Sequence, residues 1–134
     1  MKVVFASTQE QEEKIHELAD FMYSSIFPNY YDDDEIAKFK KLKVLHTSKR
    51  HFEYFSTLKE AYQVITSLQT IISILEYKLK HPLDKTYEDI FNHNVAILSE
   101  YNVFFPFYYY QFKADIKTKF SLSIYKKAAN ELLI

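Results

Sequence analysis

Residues 58–79 read LKEAYQVITSLQTIISILEYKL. Leu58, Ala61, Ile65, Leu68, Ile72, Leu75 and Leu79 advance by alternate steps of three and four, which is a heptad seam. Val64, Ile71 and Ile74 widen that seam to a second face, and the polar positions through the middle are Gln, Ser and Thr without charge. A helix with so little charge on its polar side suits the centre of a bundle, contacted from several directions. The longest uncharged part, Ala61 to Leu75, is 15 residues with six polar members, too short and too polar for a standard membrane span. It ends near His81-Pro82 and begins somewhere from Ser48 to Thr57.

Moving outward, each flank offers further helices. Downstream, Thr86 is placed to cap a helix whose first turn holds Glu88 and Asp89, with a stripe of Tyr87, Ile90, Phe91, Asn94, Ile97, Leu98 and Tyr101. Upstream, Thr8 and Gln11 form a capping-box pair ahead of the stripe Ile15, Leu18, Ala19, Met22 and Ile26, which should stop before Pro28. Asp32 and Glu35 make a second capping box before Ile36, Phe39 and Leu42. Residues 102–112, NVFFPFYYYQF, hold seven aromatics around Pro106. Proline suits the first turn of a helix. A fifth helix from Pro106 would put Phe105, Tyr108, Tyr109, Phe112 and Ile116 on one face and Phe107, Tyr110 and Ala114 on another. Residues 120–125 alternate like a strand, and Lys2 to Ala6 would be its partner; a final helix over about 121–133 is the favoured reading. The fold expected is mainly α: a compact four- or five-helix bundle forming a single helical domain over residues 1–134, with a small terminal β pair as the alternative for its ends.

Composition narrows the chemistry. The 134 residues include no Cys, which removes disulfides, thiol nucleophiles and thiolate metal sites. There is also no Gly, where about nine or ten are ordinary. Phosphate loops, dinucleotide-binding turns and nucleophile elbows need Gly for close approach or a sharp turn, so none is present in standard form. Positive-φ turns must fall to Asn or Asp, which disfavours hairpin-rich folds. The opening residues lack the pattern of a secretory signal, so a cytoplasmic location is expected. Net charge is -1, which gives no general pull towards nucleic acid or an anionic membrane.

The remaining candidates divide by side chain. Glu13 and His16 have helical metal-ligand spacing, and Asp89 with His93 is a second such pair, but no matching copy completes a di-metal motif. The acids at 32–35 lack the loop spacing of a calcium site, and capping explains them more simply. No catalytic, metal or cofactor-binding residue is assigned, and no enzymatic activity is expected. Charge is uneven: residues 1–35 carry nine acids and two lysines, whereas 36–59 carry six lysines, one Arg and one Glu. Lys38, Lys40, Lys41, Lys43, Lys49 and Arg50 are interleaved with Phe and Tyr, a mixture that suits phosphate contacts and base stacking. A single Arg in the whole chain counts against base-specific readout.

The opening KVVFASTQEQEEKIHEL and the closing ANELLI resemble the YhcU-like family of small Bacillus-type proteins. The resemblance implies a bacterial source and carries no activity or site residues. The functional expectation is therefore a non-enzymatic interaction protein. It would self-associate as a homo-oligomer, or bind another protein, through Phe104, Phe105, Phe107, Tyr108, Tyr109, Tyr110 and Phe112. The alternatives are a small-molecule module with an aromatic pocket, or weak nucleic-acid or anion binding through the basic segment 38–51.

Overall fold

A computed structural model describes residues 9–46 and 58–113. Four α-helices run through them: α1, Gln9–Phe21; α2, Asp33–Lys41; α3, Leu58–Lys80; and α4, Glu88–Glu100. No strand occurs among the described residues. The mainly helical bundle expected from the periodicities is what forms. The terminal β pair and the final helix fall on residues outside those described, as does the start of the third helix before Leu58.

The long helix α3 is central, packing against α1 on one side and α4 on the other. Its deepest seam is not the one that the heptad steps favour. Ala61, Val64, Leu68, Ile71 and Leu75 are wholly enclosed, whereas Ile65 and Ile72 lie slightly nearer the surface and Leu79 is only half-buried. The enclosed seam continues one further step, to Lys78. Among the described residues, no helix is long and apolar enough to cross a membrane.

Helix α1 does not end cleanly. It widens into a π-turn over Met22–Ile26, where the Phe27 N–H reaches back to the Met22 carbonyl, and then tightens into a 3-10 turn over Phe27–Asn29. Pro28 fits that first tight turn, because its missing N–H has no partner to lose there. Phe27 itself keeps helical angles (φ -53°, ψ -40°) despite preceding a proline. Its buried ring is held at the centre of the core, and packing overrides the local bias. Helix α2 starts as its sequence implies. The Glu35 N–H donates to the Asp32 side chain at 2.9 Å, and the Asp32 N–H donates to the Glu35 carboxylate at 3.3 Å.

Helices α2 and α4 end in the same device. Lys43 N–H bonds the Lys40 carbonyl and Val44 N–H the Phe39 carbonyl; Asn102 N–H bonds Ser99 and Val103 N–H bonds Leu98. Each is a Schellman closure, which needs a left-handed residue just past the helix. Lys43 (φ 65°) and Asn102 (φ 62°) fill that place, and Leu45 (φ 56°) follows the first. The expectation that Asn or Asp would take such positions holds at one of three. Lysine and leucine take the other two, at a steric cost of roughly 1–2 kcal/mol each. The two exits then meet, as the Leu45 N–H donates to the Phe104 carbonyl at 2.7 Å.

Two further expectations are corrected. Thr86 does not cap α4. Its N–H and hydroxyl both donate to the Asp84 carboxylate, and Tyr87 occupies the cap position without a side-chain bond. The helix consequently buries Phe91, Asn94 and Leu98 and leaves Tyr87 and Ile90 on its open side. The fifth helix from Pro106 is absent. The chain leaves α4 extended and makes only a 3-10 turn at Tyr109–Gln111.

Candidate functional site

The extended course of residues 103–108, followed by the turn at Tyr109–Gln111, decides which aromatics face out. In an extended chain successive side chains point to opposite sides. Val103, Phe105, Phe107 and Tyr109 are accordingly no more than 4% exposed, and Phe112 is fully enclosed. Phe104, Tyr108 and Tyr110 lie on the other side, at 46%, 54% and 56%. The seven aromatics expected to make an interface thus separate into four core residues and three surface residues.

The inward four join one cluster with Phe27 at its centre. The Phe27 ring lies 5.3 Å from Phe39, 5.7 Å from Phe107, and stacks near-parallel on Phe105 at 6.4 Å and Phe112 at 6.5 Å. Tyr31 meets Phe39 edge-on at 5.0 Å, and Phe91 meets Tyr109 in the same way at 5.5 Å. Such pairs add roughly 0.5–1.5 kcal/mol each beyond their buried area.

Tyrosine hydroxyls tie this cluster to the backbone around it. Tyr23 donates to the Val44 carbonyl, Tyr30 to Leu75, Tyr31 to Gln111 and Tyr109 to Asp84. Burial pushes the phenols of Tyr23, Tyr30 and Tyr31 well above their ordinary value, so all three stay neutral donors. Tyr77 donates to the Asp84 carboxylate at 2.6 Å. The Thr86 hydroxyl, the Tyr77 hydroxyl and the Thr86 N–H together hold Asp84 down to about 2.

Lys78 completes the underside of the turn. Its ammonium donates to the Tyr109 carbonyl at 2.6 Å and sits 3.7 Å from the centroid of the Tyr109 ring. Burial pulls its pKa down to about 8; Glu88 opposes that shift, while Lys113 and Lys85 add to it. The heptad reading passed over Lys78, although its place three residues after Leu75 on the inner seam was the available signal.

The outward side is simpler. The Tyr108 and Tyr110 rings stack 5.6 Å apart and 9° from parallel. The Tyr108 N–H is held by the Gln111 side chain at 2.9 Å, which fixes the start of the turn. Val95, Ser99, Asn102, Phe104 and Pro106 border an open depression of about 380 Å³. A larger depression of about 450 Å³ runs between α3 and α4, where Thr66, Gln69, Thr70 and Ser73 face Tyr77, Tyr87 and Ile90. The uncharged polar strip of α3 therefore borders open space.

The basic segment divides too. Lys40 and Lys43 line a cleft against α1, whereas Lys38 and Lys41 are exposed outside it; Lys49 and Arg50 lie outside the described residues. Among the described residues no group of three or more His, Asp or Glu side chains is placed to hold a metal ion.

Comparison with known proteins fits this picture of a fold without an assigned activity. The chain is 33% identical over 120 residues to the uncharacterised protein YhcU of Bacillus subtilis (strain 168), covering 90% of this chain and 89% of that protein. No solved structure matches it. A model for a family of unknown function, DUF5365, matches residues 1–117. The chain therefore belongs to the DUF5365 family.

Proposed function

We propose that the protein is a non-enzymatic interaction protein of the cytoplasm that self-associates through the outer edge of residues 104–110. One observation supports this reading above the rest. Phe104, Tyr108 and Tyr110 are large, exposed aromatics on a segment whose intervening residues are locked into the core. Tyr and Phe bury much area for few rotatable bonds, and anchoring them beforehand lowers the ordering cost of association. Phe104 borders an open depression, and the stacked Tyr108–Tyr110 pair follows on the same segment. Exposed rings and a hollow on one segment suit a two-fold dimer, in which the same patch on both copies meets itself.

The experiment is sedimentation velocity on the full chain across a wide concentration range, alongside the double variant Tyr108→Ser/Tyr110→Ser. The wild type should show a concentration-dependent dimer, and the double variant should remain monomeric with an unchanged helical circular dichroism spectrum. A wild type that stays monomeric into the high micromolar range would sink the reading.

A further inference from the structure

The cleft between α1 and the exit of α2 is lined largely by charged and titratable side chains. His16, Ala19, Asp20 and Tyr23 line it from the α1 side and its π-turn, and Lys40, Lys43, Val44, Leu45 and His46 from the α2 side. It encloses about 260 Å³. That is smaller than the sites which bury drug-sized ligands. Val44 and Leu45 are buried and give it an apolar rear wall. Tyr23 contributes its ring alone, because its hydroxyl is engaged with the Val44 carbonyl. Two lysines, two imidazoles and one carboxylate supply the polar groups.

We propose that this cleft binds a small phosphate-bearing anion, of the class of inorganic phosphate or a simple phosphate monoester. The Lys40 ammonium lies 5.3 Å from the centroid of the Tyr23 ring, so a cation–π contact holds its charge at the cleft. Lysine is a compact point charge with three donors, suited to tetrahedral phosphate oxygens approached from different directions. The last carbonyls of α2 would repel an anion, but those of Lys38, Phe39 and Lys40 already accept N–H bonds from Leu42, Val44 and Lys43.

Lys43 is the second, independent observation. It fills the left-handed position of a Schellman closure, where Gly is the relaxed residue and Asn the next best. The twin closure of α4 uses Asn102. Lys43 is exposed, so core packing does not account for a lysine there. Strained backbone clusters at ligand clamps and switch regions, and here it is kept without a packing return. The lining of this cleft shares no residue with the self-association surface.

Calorimetric titration of the full chain with inorganic phosphate and with glycerol phosphate, at fixed ionic strength, tests it. Saturable binding is expected, weakened at least about tenfold in Lys40→Gln/Lys43→Gln. It should change less than about twofold in Lys38→Gln/Lys41→Gln, which removes the same charge outside the cleft. Asp20→Asn should tighten binding, because it removes the carboxylate that opposes an anion. Tighter glycerol phosphate identifies an ester as the natural ligand, and equal affinity identifies free phosphate. Absence of saturation overturns the proposal, as does equal loss in both double variants. So does a single-stranded oligonucleotide that binds more tightly per phosphate and depends on all four lysines alike, which would make the segment a nucleic-acid surface instead. Circular dichroism checks that each variant keeps its fold.

Discussion

At the scale of single residues, the chain tolerates two expensive choices. Lys43 sits at φ 65° with a side chain that adds nothing to the core. Lys43→Gly should therefore stabilise the protein by about 0.5–1 kcal/mol, the relieved strain being partly offset by the freer unfolded chain. Urea denaturation would register this as a higher midpoint at unchanged slope. Asn102→Gly should gain less, since Asn already suits the position. Lys78 is the second choice. Its folded-state value of about 8 lies below the ordinary 10.5, so between these the unfolded chain binds the proton that the folded chain has released. Stability should accordingly rise as pH climbs from about 8 towards 10, and stay flat on this account below 8. Lys78→Met should abolish the rise, measured as the urea midpoint at about pH 7.5 and about pH 9.5. Sequence reasoning named Lys43 only as a candidate for anion contacts, and foresaw neither its left-handed turn nor the burial of Lys78. Schellman positions are legible when Gly or Asn marks them, and a lysine on an apolar seam is easily dismissed as one turn's departure from period.

At the scale of elements, the hydroxyl of a tyrosine acts where a short chain has few other ways to join distant segments. Tyr31 reaches the Gln111 carbonyl across 80 residues of sequence, at 3.2 Å and fully within the core. Tyr31→Phe should cost about 1–2 kcal/mol by removing that buried hydrogen bond, whereas Tyr108→Phe, on an exposed ring, should change stability by less than about 0.5 kcal/mol. Paired thermal melts would separate the two. The helices were readable because caps and stripes repeat at a fixed period: Asp32 with Glu35, the apolar line of α1, and the inner face of α3 all declare themselves. The aromatic run did not. Its spacing from Phe105 to Phe112 fits a helix, yet Phe105, Phe107 and Tyr109 reach the core by alternation. Two periods coincide over so short a stretch, and only the tertiary partner Phe27 decides between them.

At the scale of the whole molecule, stability converges on one ring. Phe27 is fully buried and touches aromatic residues from α2, the π-turn and the segment after α4. Phe27→Ala should cost about 3–5 kcal/mol, a large share of what a domain of this size has, and calorimetry should show a broadened or absent unfolding transition. The candidate surface was half legible. Composition pointed to residues 104–112, but the division into inner Phe105, Phe107, Tyr109 and Phe112 and outer Phe104, Tyr108 and Tyr110 required the backbone course.

The stacked pair of Tyr108 and Tyr110 has an optical consequence. The chain has 12 Tyr and no Trp, so its near-ultraviolet emission belongs to tyrosine alone. The buried phenols that donate to carbonyls form a quenched, rigid background. The outer pair belongs, with the exposed Tyr62 and Tyr87, to the part of the signal that a change of surroundings can alter. Whatever covers those rings will report itself in the protein's intrinsic fluorescence, with no label attached.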